Sequence, residues 1–179
     1  MGGGDKGLLR LGDQSILEHV IARFEPQVAS LALNANGDAA RFADAGLPVI
    51  ADSIAGFAGP LSGVLAGLDW AASKGAEHIA TAAADTPFLP CDVVPRLQLA
   101  AELAGVDIAL AATADGRQPT FGLWPVRLRE DLRAALNGGL RKVVLWTREH
   151  NAATATFPDS TAFFNVNTPE DLATARAMI

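Results

Sequence analysis

Near the start of the chain stands Gly2-Gly3-Gly4-Asp5-Lys6-Gly7, followed by Leu8, Leu9 and Leu11. Glycines carry no Cβ, so backbone N–H groups there can approach an anion closely, and Lys6 adds a full positive charge beside them. The leucines then bury the segment. This composition suits the second half of a phosphate-binding loop, with Lys6 neutralising phosphate oxygens as a mobile point charge. Taken alone, it also reads as a solvated lysine on a glycine-rich terminus.

Asp85 ends the apolar run His78-Ile79-Ala80-Thr81-Ala82-Ala83-Ala84, and Thr86-Pro87 turns the chain away behind it. A carboxylate so placed can hold a hard divalent cation, or simply cap the turn. Asn34 and Asp52 also follow apolar runs. They could read a base or ribose by hydrogen bonds, or form ordinary Asx turns. Gly59-Pro60-Leu61-Ser62-Gly63 opens a helix, and helix N-termini offer unpaired N–H donors to anions or to polar ligand edges. Asn165 and Asn167 bracket Val166 and point to one side of an extended segment, where one of them could complete a metal site. His19, His78 and His150 lack ligand-like spacing, and Cys91 has no evident base partner, so neither metal nor thiol chemistry is expected of them.

The elements that must position these residues alternate. Ser15 caps a helix carrying Ile16, Leu17, Val20, Ile21 and Phe24. Ser30–Leu33, Pro48–Ala51 and His78–Ala84 read as strands, with helices over Ala39–Ala45, from about Pro60 to Lys74, and over Asp92–Leu103. Strands at Ile108–Ala112 and Thr120–Trp124 are joined by a turn through Asp115-Gly116. Helices at Arg127–Leu136 and Leu140–Glu149, a last strand at Ala162–Asn165 and a helix capped by Thr168 complete the chain. This alternation predicts an α/β fold of Rossmann-like three-layer α/β/α type, with a mainly parallel sheet. Ligands of such sheets sit beyond the carboxyl ends of the strands, so Asn34, Asp52 and Asp85 are expected on one rim.

Composition narrows the class. A length of 179 residues suits one domain, half the residues are apolar, and the net charge is −6. An acidic chain argues against a nucleic-acid partner. No apolar run reaches the roughly 20 residues of a membrane span, and a lone cysteine forms no internal disulfide, so a cytoplasmic protein is expected. In this acidic chain Arg117, with Gln118-Pro119-Thr120, and Arg141-Lys142 read either as anion contacts for a second substrate or as surface solubility.

The motifs Gly-Gly-Gly-Asp-Lys-Gly-Leu-Leu, Leu-Asn-Ala-Asn, Asp52, Gly-Pro-Leu-Ser-Gly, Asp-Thr-Pro-Phe-Leu-Pro, Gln-Pro-Thr-Phe and Phe-Asn-Val-Asn-Thr-Pro-Glu-Asp-Leu occur in this order over nearly the whole chain. In that order they resemble the molybdenum cofactor guanylyltransferase family, a nucleotidyltransferase group with a nucleotide-diphospho-sugar-transferase-like fold. The resemblance implies GTP contacts at Lys6, Asn34, Asp52, Gly59, Gly63 and Asp85, Mg²⁺ at Asp85, and a part in the same site for Asn165 and Asn167. It implies transfer of GMP from GTP to molybdopterin with release of pyrophosphate. Other cofactor-assembly proteins and acceptor molybdoenzymes are the implied protein partners.

The family pattern also implies a strand and a Leu-Ala-Gly-Gly turn ahead of the Met-Gly-Gly segment, which this sequence does not contain. The single nucleotidyltransferase domain over residues 1–179 is therefore expected to be N-terminally incomplete, and this form impaired. A cytidylyl- or sugar-phosphate nucleotidyltransferase is the rival enzyme on the same fold. A non-catalytic module that holds finished cofactor, or docks on assembly partners, is the rival outside enzymology.

Overall fold

Local signals start the helices where the apolar patterns place them. The computed structural model describes residues 5–54, 56 and 59–179, so Gly2–Gly4 and Phe57-Ala58 lie outside the described residues. A short hairpin pairs β1 (Arg10–Leu11) with β2 (Gln14–Ser15). The Ser15 hydroxyl accepts from the Glu18 amide at 3.2 Å, and the Glu18 carboxylate accepts from the Ser15 amide, starting α1 (Ile16–Phe24) with a capping box. β3 (Leu33–Asn34) and β4 (Val49–Ile50) pair in parallel, and the short helix expected over Ala39–Ala45 between them is of 3₁₀ type. α2 (Pro60–Ser73) takes Pro60 in its first turn, where the missing N–H costs nothing.

β5 (His78–Thr81), α3 (Val93–Ala104), β6 (Ala109–Thr113), β7 (Gly116–Pro125), α4 (Arg129–Asn137), α5 (Val143–Glu149), β8 (Ala153–Thr156) and α6 (Pro169–Arg176) follow. The four-stranded sheet has the order β5-β7-β6-β8. β7 runs antiparallel to β5 and to β6, while β6 and β8 are parallel. Three strands of this sheet therefore share a direction, and β7 alone opposes them.

The three layers are visible in side-chain alternation, because successive residues of a strand face opposite ways. On β6 and β7, Ala109, Ala111, Phe121 and Leu123 join Val20 and Phe24 of α1 and Val93 and Leu97 of α3. The intervening Leu110 and Trp124 join Leu65 and Leu68 of α2, Leu132 and Leu136 of α4 and Trp146 of α5. One apolar cluster thus fills each face of the sheet.

The last strand falls elsewhere than expected. Ala162–Asn165 is not a strand: Thr161–Phe163 forms a 3₁₀ turn, and Phe163 packs edge-on against Phe121 and Phe157 as a core plug. The last strand is instead β8, whose Ala-Thr-Ala-Thr carries too little apolar contrast to stand out in a pattern scan. The β3–β4 ladder and the four-stranded sheet are separate, with a cavity of about 590 Å³ between them. Consecutive residues 30–34 and 78–84 line it. A strand face would present only alternate residues, so the backbone edges of both ladders face this space.

Candidate active site

The residues singled out above gather in two groups. At the first, Lys6 lies in a 3₁₀ turn over Lys6–Leu8, tied down by the Leu8 amide donating to the Asp5 carbonyl at 3.1 Å. Its ammonium donates to Asn167 Oδ1 at 2.7 Å. Gly7 sits against the end of the β5 run: a Cβ there would come 3.3 Å from the Ala84 carbonyl oxygen. Asp85, the next residue, is half-buried. Its carbonyl accepts from the Val166 amide at 2.9 Å, which places the Asn165-Val166-Asn167 segment beside it. Thr86, fully buried, donates its hydroxyl to Asn165 Oδ1. The two asparagines thus use one extended stretch to brace two partners, Thr86 through Asn165 and Lys6 through Asn167.

Burial pushes the Asp85 carboxyl above the ordinary carboxylate range, against the weaker pull of its own backbone amide and of the Lys6 charge. Ionised Asp85 is therefore short of positive charge. A hard cation sharing its remaining ligands with phosphate oxygens would supply it, which is how Mg²⁺ is usually held. No cluster of three acidic, histidine or cysteine ligands exists among the described residues.

The second group lies where β3 and β4 end. Asn34 donates to the Ile50 carbonyl and to Asp52 Oδ1, each at 3.1 Å. Asn36 donates to Asp52 Oδ2 at 2.9 Å and accepts from the Asp52 amide at 2.9 Å. Both carboxylate oxygens of Asp52 are thereby fixed in direction. Gly63 on α2 packs directly on this pair: a Cβ would fall 2.5 Å from Asn34 Oδ1. Gly59 precedes Pro60 with φ 142°, a backbone geometry that favours glycine, and the chain there passes the Arg141 carbonyl.

Residues 5–7 join the groups. The Asp5 carboxylate accepts from Arg41, and the same guanidinium donates to the Asn36 carbonyl at 2.5 Å. Asn36, Arg41, Thr86 and Asp5 escape the sequence reading as site residues. Asn36 could have been found, since its spacing of two from Asn34 is the pattern that marks Asn165 and Asn167. Arg41 carries no local signal; only the folded turn aims it.

Several other candidates stand apart. Arg117 lines a separate cavity of about 560 Å³ beneath α5, with Arg148 and Asn151. His19 bonds the Leu11 carbonyl at 2.8 Å, and His150 meets Asp131 at 2.9 Å. Cys91 is exposed, with Arg23 at 3.5 Å. No helix among the described residues is long and apolar enough to cross a membrane.

Comparison with known proteins bears on the family and the fold. Residues 1–153 match the family model described as MobA-like NTP transferase domain. The chain is 51% identical over 183 residues to the molybdenum cofactor guanylyltransferase of Bradyrhizobium sp. (strain ORS 278), covering 99% of this chain and 86% of that one. It is also 51% identical over 180 residues to the enzyme of that name from Cereibacter sphaeroides, covering 100% and 90%. Among solved structures, the molybdopterin-guanine dinucleotide biosynthesis protein A of Archaeoglobus fulgidus superposes with a TM-score of 0.75 at 22% identity, covering 98% and 91% of the two chains. The 2-C-methyl-D-erythritol 4-phosphate cytidylyltransferase of Thermus thermophilus superposes with a TM-score of 0.69 at 18% identity, covering 98% and 94%. These likenesses establish the nucleotidyltransferase fold and, through the close relatives, the family: this chain belongs to the molybdenum cofactor guanylyltransferases, with their MobA-like NTP transferase domain.

Proposed function

We propose that the chain transfers GMP from GTP to molybdopterin, giving the guanine dinucleotide cofactor and pyrophosphate. The observation that carries this reading is the juxtaposition of two chemically distinct groups. One offers a cation and a half-buried carboxylate, Lys6 and Asp85, and the other offers fixed amide and carboxylate edges, Asn34 and Asp52. A purine nucleoside triphosphate has the matching polarity, with a hydrogen-bonding ring at one end and concentrated negative charge at the other.

The protein's task in this reading is alignment and charge neutralisation. The Asp52 carboxylate, held in direction by Asn34 and Asn36, accepts from the N–H edge of guanine. Gly63 keeps α2 close enough for its backbone to border the ring, and the α2 N-terminus at Gly59 adds N–H donors. Lys6, steered by Asn167, lies against the phosphates. Asp85 would hold Mg²⁺ together with phosphate oxygens, with Asn165 bracing the neighbouring Thr86. Bound there, the ion would neutralise charge on the triphosphate and favour departure of pyrophosphate. The attacking phosphate of molybdopterin is already ionised near neutral pH, so no general base is required.

Incubation of the protein with GTP, Mg²⁺ and molybdopterin, scored by pyrophosphate release and by the dinucleotide product, tests the reading. CTP and ATP serve as controls. Turnover with GTP at least about tenfold above CTP, equivalent to about 1.4 kcal/mol in the transition state, is expected. A preference for CTP overturns the guanine assignment. The fold, shared with a cytidylyltransferase, does not itself choose the base.

A further inference from the structure

We infer that Arg41 is a positioning residue that couples the phosphate end of the nucleotide site to its base end. The inference rests on the nucleotide reading above and goes beyond it, because Arg41 belongs to neither group. It lies in the 3₁₀ segment between β3 and β4, 36 positions from Asp5, and its three nitrogens have three different duties. Nε donates to the Asp5 carboxylate, Nη1 to the Asp38 carbonyl at 2.7 Å, and Nη2 to the Asn36 carbonyl at 2.5 Å. The guanidinium stacks on the Phe42 ring, 4.6 Å from its centroid, which fixes the plane of the fork. Gly37, with φ 83°, lets the turn close on it; a Cβ there would lie 3.2 Å from Nη1.

Both ends of this bridge lead into the site. Asp5 precedes Lys6 and its carbonyl closes the turn that presents it. Asn36 orients Asp52 through two hydrogen bonds. The ion pair is about one-third exposed on each side, so its direct contribution to stability is small. Its effect is geometric and electrostatic. Geometrically, it fixes the spacing between the residues that meet the phosphates and those that meet the base. Electrostatically, it neutralises the Asp5 carboxylate, which would otherwise repel a triphosphate arriving at Lys6. A lysine at position 41 could supply the charge but not the planar set of donors.

The test compares three ligands on the full chain: GTP, guanosine and inorganic tripolyphosphate, each measured by calorimetry. Only GTP spans both ends, so only GTP gains from their fixed spacing. Arg41→Ala is expected to weaken GTP about tenfold and each single-ended ligand less than about threefold. Arg41→Lys, which keeps the charge but not the fork, is expected to restore tripolyphosphate binding and to leave GTP weakened. Equal losses for all three ligands, unchanged GTP affinity, or full recovery in Arg41→Lys would overturn the inference. A second readout needs no nucleotide. Hydrogen exchange at the Leu8 and Leu9 amides, which bond the Asp5 and Lys6 carbonyls, should quicken in Arg41→Ala while the β6 and β7 amides keep their protection. If that variant unfolds, Asp5→Asn takes its place and should quicken exchange at the same two amides; no change there overturns the bridge. GTP binding to the native chain together with indifference of every variant rejects Arg41 alone, whereas failure of the native chain to bind GTP rejects both readings.

Discussion

The Lys6 ammonium donates to Asn167 Oδ1 at 2.7 Å across 161 positions of sequence. A lysine side chain has four rotatable bonds and sweeps a wide volume. The asparagine converts it into a directed charge, one whose field reaches the Asp85 carboxylate. Each residue has a plain solvated role in isolation, and their meeting is what makes the pair a candidate for phosphate handling.

Removal of either partner should be read out on the nucleotide. Lys6→Ala is expected to lower kcat/KM for GTP by about 10–100-fold, equivalent to about 1.4–2.7 kcal/mol. Asn167→Ala should lower it less, since the charge survives and only its direction is lost. Steady-state rates at varied GTP, with molybdopterin saturating, check both. Equal rates in native and Lys6→Ala protein would remove Lys6 from the site.

Asp85→Asn should abolish Mg²⁺-dependent turnover and leave the fold intact. The pH sign is specific. Burial raises the folded-state pKa of Asp85, so ionising it costs stability above that pKa, and the cost is relieved as pH falls through it. Asp85→Asn should therefore melt at the native temperature or higher at pH 7 without ligand. In the native chain, protons compete with Mg²⁺ at a higher pH than at an ordinary carboxylate. Apparent Mg²⁺ affinity should fall on the acid side accordingly, in titrations across pH 4–7. A lower melting temperature for Asp85→Asn would contradict the assignment.

Gly63→Ala separates stability from function. Alanine improves helix propensity at an interior helical position by about 1 kcal/mol. The added Cβ would, however, fall 2.5 Å from Asn34 Oδ1, so the flexible asparagine amide must move off Asp52. The melting temperature should hold or rise, while GTP affinity falls about tenfold, a loss of about 1.4 kcal/mol. Thermal melts and calorimetry on the same preparation check the pair of effects.

Gly122→Ala should damage the core instead. A Cβ there would stand 2.5 Å from the Trp124 ring and 2.9 Å from Leu110, both fully or almost fully buried. Trp124 is also held by its Nε1–H donating to Thr81 at 2.9 Å, so the ring cannot yield without breaking that bond. Overpacking of this kind costs about 1–3 kcal/mol. Urea unfolding should show a lower midpoint with an unchanged slope.

Helix α1 and α6 starts were readable because their caps are local: Ser15 with Glu18, and Thr168 with Asp171, bond within three residues. The runs of β5 and β6 were readable because most of their residues are apolar, although only β6 is largely buried. β8 was missed for the opposite reason. Its four residues acquire strand geometry from pairing with β6, a partner more than forty residues away, and not from their own propensity. Phe163 and Phe164 misled in turn, because aromatic residues suit a strand and a core plug alike.

From residue types and order alone came the alternation of helices and strands, the motif succession that marks the family, and the polar residues ending the strands, Asn34, Asp52 and Asp85. These follow from short-range chemistry: caps, periodicity and side-chain functional groups. The pairing of those residues did not. Asn36 on Asp52, Asn165 on Thr86, Asn167 on Lys6 and Arg41 on Asp5 arise only when separate elements pack, because a hydrogen bond between distant positions depends on atomic separations that no local pattern encodes.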